Sequence, residues 1–297
     1  MKQLLWFSMT LWCSICWAQQ EFNVHHFVQS YSWRNPAATG SKGKFFAQGL
    51  YRNQWTGMEG APVLQGLNLQ SSFAKNKVGL GLLYWKDNIG PFQQQFVAMD
   101  IAYKLFFNEK AFLSFGSRVG MQQSLLKLSS LQVWDANDPM FQQNASTGTK
   151  AFFGTGVYFS NKAFRLGISV PMLREVYSTN TYSIQPHFYG MAQLKKPVGV
   201  DWQSSSAVQV KLTSYTPVQI CIQQMMIYKQ KVAAGILWRS NDALGFSLGM
   251  TLGTKLLLSY AYDWSWAHTS TLSNIGSHEI TLVCILPSIK HTRTDFW

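Results

Sequence analysis

The chain has 297 residues, of which 15% are aromatic and only 13% charged, against about 25% charged in an average soluble domain. Its mean hydropathy is near zero, and no stretch after the N-terminus supplies the roughly twenty consecutive apolar residues that a spanning helix requires. The formal charge is +12, but the basic residues are scattered and form no aromatic-interleaved stripe, so a nucleic-acid interface has no support.

Such a chain is too apolar for a water-exposed surface and too interrupted for membrane helices. Lipid admits only helices and closed sheets, which leaves a barrel. Basic residues at loop ends and in a lumen suit acidic lipid headgroups or acidic partners.

The N-terminus carries Lys2, an apolar run from Leu4 to Trp17, and Ala18 ahead of Gln19-Gln20-Glu21. This is the pattern of a signal peptide over 1–18. Cys13 and Cys16 follow Trp12 and Ile15, where a lipidation site wants a small residue. Residues 19–297 are then expected to form one barrel domain, whose cysteines are Cys221 and Cys284. Alternation places Cys221 inward and Cys284 outward, which disfavours a disulfide between them.

Residues 19 to 43 look irregular, with turn chemistry in Asn35-Pro36-Ala37-Ala38-Thr39-Gly40. Strands are expected at about 44 to 52, 64 to 74 and 77 to 86, the last with Val78, Leu80, Leu82 and Tyr84 on one face. The fourth sets Val97, Met99, Ile101, Tyr103 and Leu105 against Asp100, Ala102 and Lys104. The fifth sets Leu113, Phe115, Val119 and Met121 against Arg118, Gly120 and Gln122. A face carrying charges opposite an apolar face suits a polar lumen better than a dry core. Residues 125 to 149 read as a long polar loop on the outer side, and Pro171 as the start of a second one. Further strands are expected at about 150 to 160, 163 to 170, 184 to 194, 205 to 214, 217 to 228, 231 to 239, 242 to 252, 254 to 263 and 277 to 286. The clearest is the stretch Leu244, Phe246, Leu248, Met250 and Leu252, alternating with Gly, Ser and Thr. The count is about fourteen: an all-β, antiparallel transmembrane β-barrel of the outer-membrane type.

Few residues invite chemistry. His278-Glu279 lacks the second histidine of a helical zinc motif and lies in a strand pattern, and no phosphate-binding loop is present. Nothing in the spacing of Ser183 and His187 selects them as parts of a hydrolase triad. No catalytic residue, metal ligand or cofactor is expected. Arg52, Arg239, Asp263 and Glu279 stand out as inward or rim charges, expected to form a satisfied network in the lumen. Trp55, Trp85, Trp202, Trp238, Trp264 and Trp266 fall near strand ends, where an aromatic girdle belongs.

Two groups of motifs resemble the PorP/SprF proteins of the type IX secretion system in Bacteroidetes. The opening group is Asn35-Pro36-Ala37-Ala38-Thr39-Gly40 and Tyr51-Arg52-Asn53-Gln54-Trp55 with Gly57, Ala61 and Pro62. The closing group is Trp238-Arg239-Ser240-Asn241-Asp242-Ala243, Tyr260-Ala261-Tyr262-Asp263 and Gly276-Ser277-His278-Glu279-Ile280. The likeness spans nearly the whole mature chain, with Trp238 where members often carry tyrosine. It implies a non-enzymatic outer-membrane component of secretion or gliding. Such a component would dock periplasmic lipoprotein ring components, or assist export and attachment of large adhesins bearing a C-terminal sorting domain. The competing readings are a passive porin or small-molecule channel, suggested by inner-face Gly, Ser and Gln, a lipid-directed barrel enzyme, and a soluble β-sandwich.

Overall fold

The computed structural model describes residues 22–42, 45–109, 111–131, 134, 138, 141–175, 186–214, 216–266, 276–286 and 296–297. The predicted signal peptide and Ser183 lie outside them. Fourteen antiparallel strands form a closed barrel. They are β1 Phe45–Asn53, β2 Val63–Phe73, β3 Val78–Ile89, β4 Phe92–Asn108, β5 Ala111–Leu126, β6 Ala145–Ser160 and β7 Phe164–Glu175. There follow β8 His187–Val198, β9 Trp202–Thr213, β10 Gln219–Tyr228, β11 Val232–Arg239, β12 Ala243–Leu252, β13 Leu256–Ser265 and β14 Ser277–Leu286. Each strand pairs with its sequence neighbours, and β1 closes on β14 with Arg52 opposite Glu279. Closure leaves no edge, so each ladder group finds a partner without water.

Alternation decides which face each residue takes. Phe246, Leu248 and Met250 are exposed on the outer wall while Ser247 is buried inside. Val97, Met99, Ile101 and Tyr103 face outward as expected, and Asp100, Ala102 and Lys104 are buried inside. Cys221 is buried, Cys284 lies on the outer face, and both are free thiols. At one end the strands are joined by 74–77, 109–110, 161–163, 199–201, 229–231 and 253–255. At the other end the connections include 54–62, 127–144, 176–186 and 266–276. Short turns belong to the periplasmic side of such barrels, so the long connections define the outer end. The 229–231 turn uses left-handed backbone: Lys229 and Gln230, at φ 49° and 57°, have the paired positive angles that match the twist of a hairpin.

Several loop boundaries differ from the sequence reading, among them the connection expected at 195–204, which narrows to 199–201. The outer loop after β5 is shorter than expected, because strand pairing continues through Leu126 and resumes at Ala145. Strand β7 runs through Pro171 to Glu175, since the register shifts between Phe153 and Thr155 on β6 and a bulge accommodates a residue that lacks an N–H.

The lumen is filled. Residues 24–39 are all buried inside the barrel, through a helical turn at Tyr31–Arg34 and a 3-10 turn at Pro36–Ala38. Asn35 caps the second turn by accepting from Ala37 N at 2.9 Å, and its Nδ2 donates to the wall carbonyls of Val157 and Ile168. Inner-wall glycines make room for this segment. A Cβ at Gly66 would collide with the Trp33 ring, one at Gly79 with the Thr39 carbonyl, and one at Gly116 with the Pro36–Ala37 backbone. The small inner faces, read as a channel lining, are therefore one half of a packed interior. At the short-turn end Phe296 and Trp297 complete a second apolar cluster with Phe46, Ile227, Leu257 and Ile285.

Candidate functional site: the seated lumen segment and the outer vestibule

Two buried ionic clusters hold the lumen segment to the wall. In the first, Asp100 on β4 stands directly opposite Arg118 on β5. Arg118 Nε and Nη2 donate to the two Asp100 oxygens at 2.7 and 2.8 Å. The guanidinium also reaches the carbonyls of Ser32 and Trp33 at 2.7 and 2.8 Å, and Thr39 Oγ1 donates to Asp100 Oδ2 at 3.0 Å. Lys104, on the same inner face, donates to the Gly40 carbonyl. Trp33 Nε1 donates to Gln48 on β1 at 2.8 Å.

The second cluster unites all four charges singled out from the sequence. Arg52 Nη2 lies 2.8 Å from Asp263 and Nη1 3.4 Å from Glu279. Arg239 Nη1 lies 2.9 Å from Asp242 and 3.4 Å from Asp263. The sequence reading missed the other half of this network, His25 and His26. Glu279 accepts the backbone N–H of His25 at 2.7 Å and that of His26 at 3.0 Å. Its Oε1 also lies 2.8 Å from His26 Nδ1, and Asp263 Oδ1 lies 2.6 Å from His25 Nδ1. Neither histidine Nε2 has a partner among the described residues. Burial is the largest influence on His25 and lowers its pKa below the usual imidazole value, with the Asp263 hydrogen bond pulling the other way. A second ring proton would be buried without an acceptor. His25 is thus neutral and donates Nδ1–H to Asp263. The stretches that carry the family resemblance supply Arg52, Arg239, Asp263 and Glu279, so motifs far apart in the chain meet on the segment containing Asn35. The signal for the missed histidines was the irregular stretch itself, whose partners a strand pattern cannot reveal.

Other sequence expectations resolve by position. His278 and Glu279 point to opposite faces of β14: Glu279 is buried, and His278 pairs with Tyr260 Oη at 2.7 Å on the outside. No metal-holding group of side chains is found among the described residues. Trp202, Trp238, Trp264 and Trp266 are exposed on the outer wall, and Trp202 packs on Tyr228 with ring centroids 4.8 Å apart. Trp85 corrects the girdle expectation, because its position on the strand directs it inward. It is buried in the lumen, stacked on Phe96 and edge-on to Phe22, each at 5.0 Å. Trp55 lies in the first outer connection.

Above the lumen segment lies a cavity of about 1090 Å³. Its wall residues include Ile89, Phe92, Leu126 and His187, which sit at the outer ends of their strands, and Pro62 in the adjoining connection. Its base is formed by Phe22, Asn23, Trp33 and Arg34 of the lumen segment. Among the described residues, the cavity is thus a vestibule at the outer ends of the strands with the lumen segment beneath it.

A closed fourteen-stranded barrel with an apolar outer belt and a charged, protein-filled interior is an integral protein of the outer membrane, in contact with its lipids. The chain belongs to the PorP/SprF family of type IX secretion system membrane proteins, which it matches over residues 17–284. No curated protein matches it. Among solved structures it is similar to an outer membrane protein of Acinetobacter baumannii at 8% identity, covering 84% of this chain and 100% of that one with a TM-score of 0.48. It is likewise similar to the toluene transporter TbuX of Ralstonia pickettii at 8% identity, covering 86% and 92% with a TM-score of 0.49.

Proposed function

We propose that this protein is a non-conducting, non-enzymatic docking component of the type IX secretion machinery. After removal of residues 1–18 as a signal peptide, its barrel presents the outer vestibule and long connections to a secreted adhesin carrying a C-terminal sorting domain. Its short-turn side faces the periplasmic lipoprotein components. The single observation behind this reading is the seated segment. A chain held across the lumen by two ionic clusters blocks passive diffusion and leaves a concave surface facing outward. The inner-face Gly, Ser and Gln that suggest a porin serve instead to pack that segment, as Gly116 does against Pro36–Ala37.

Deletion of the gene should abolish surface display of its linked adhesin, and unchanged display would defeat the proposal. Affinity purification from native membranes in mild detergent should recover secretion-system lipoproteins or a large surface protein. Planar-bilayer recordings of the purified barrel separate the porin reading: silence supports docking, and stable open conductance supports a channel.

A further inference from the structure

Asp87, on the inner face of β3 two residues beyond Trp85, is 7% exposed and lines the vestibule. Its neighbours across the ladder are Leu64 and Gln94, neither of which can balance its charge. Its Oδ1 is enclosed without a hydrogen-bond partner, and no salt bridge reaches Asp87 among the described residues. The cations around the vestibule are committed elsewhere. Arg52 serves Asp263 and Glu279, Arg118 serves Asp100, and Arg34 donates to the Phe22 carbonyl and lies over the Phe22 ring at 4.1 Å. Lys150, the remaining one, is engaged with another group. A carboxylate that is mostly buried, with one oxygen enclosed and no counter-charge beside it, is costly, unless the partner arrives with a ligand at the oxygen that faces the vestibule.

We propose that Asp87 anchors a cation subsite of the vestibule. The subsite takes the ammonium or guanidinium of a lysine or arginine side chain on a polypeptide segment entering from the outer side. The aromatic wall of Trp85, Phe96 and Phe22 beside Asp87 provides apolar and π-faced surface for the alkyl stem and charged head. A cavity of about 1090 Å³ slightly exceeds the usual range for small-ligand pockets and accommodates several residues of a peptide. Gln54, Gln94, Gln122 and Ser124, also in its lining, offer donors and acceptors to an extended backbone. This inference rests on the docking reading and identifies the chemistry of the segment that docks.

The test is equilibrium binding of four probes to the purified full-length barrel in detergent. They are acetyl-Gly-Lys-Gly-amide, its arginine counterpart, its norleucine counterpart as a neutral isostere, and butylammonium. The lysine and arginine peptides should bind about tenfold or more tightly than the norleucine peptide, the range of a charge-assisted hydrogen bond. Asp87→Asn should erase that preference while the barrel keeps its heat-modifiable mobility on gels. Butylammonium binding as tightly as the lysine peptide would identify a small amine as the ligand and overturn the polypeptide assignment. Equal binding of lysine and norleucine peptides, absence of saturable binding by any probe, or an unchanged preference in Asp87→Asn would overturn the subsite. These outcomes are independent of adhesin display in the deletion strain, so the subsite can fail while the secretion role stands.

Discussion

Glu279→Ala should unseat the lumen segment while leaving the barrel closed. The carboxylate accepts the backbone N–H groups of both His25 and His26, faces His26 Nδ1 and pairs with Arg52. Its removal leaves two main-chain donors and a guanidinium edge buried without their acceptor. Breaking one side of a buried ion pair costs about 3–5 kcal/mol, which at 1.4 kcal/mol per decade raises the unseated population by roughly two to three and a half decades. The ladder is unaffected, because strand pairing of Glu279 with Arg52 uses main-chain groups. A native reporter exists: Cys221 is buried in the lumen, packed in the apolar cluster that includes Phe27 and Val28. In a Cys284→Ser background, maleimide labelling of Cys221 should accelerate by at least two decades in Glu279→Ala, with heat-modifiability retained. A labelling rate within twofold of the parent, in a barrel still folded, would refute the view that this network holds the segment in place.

Three further outcomes test other parts of the account. Gly116→Val should collide with the Pro36–Ala37 backbone and cost about 1–3 kcal/mol of seating, whereas Gly49→Ala, where an added Cβ meets nothing within 4 Å, should leave thermal unfolding and Cys221 labelling unchanged. Acidification should loosen the segment. His25 has a lowered pKa when seated, so between that value and the unperturbed 6.5 the released state binds more protons. The seating contribution is therefore complete above about pH 6.5 and is lost as pH falls, by at most about 1.4 kcal/mol per pH unit. His25→Gln should remove this share of the pH dependence of Cys221 labelling; an identical profile in the variant would exclude His25 as its source. Met99→Arg places a charge on the outer face, where Met99 is 63% exposed, and should reduce folding stability in lipid vesicles by about 2–4 kcal/mol if it sits at the bilayer midplane. An unchanged denaturation midpoint would contradict the assignment of this face to lipid.

Much of the barrel was legible because period-two alternation is local. Val97 to Leu105 declares its outer face within nine residues, but the register that sets Asp100 opposite Arg118 needs a one-residue shift between Phe106 and Asn108 besides the short turn at Asn108-Glu109. Pro171 misled because a bulge depends on the partner strand. Trp85 misled because a tryptophan near a strand end reads as a girdle residue until its face is counted, and Val78, Leu80, Leu82 and Tyr84 outward already require position 85 to point inward.

The sequence by itself determined the outer-membrane barrel, its strand count and the inward charge of Arg52, Arg239, Asp263 and Glu279, since lipid imposes a pattern that repeats every two residues. Only the tertiary structure decided what fills the interior. The segment around His25, His26 and Asn35 has no periodicity of its own. It acquires a conformation because the glycines of β2, β3 and β5 leave space for it and because Asp263 and Glu279, over two hundred residues away, accept its donors. Contacts at that separation become determinate only when the barrel closes and brings the strands that carry them around one lumen.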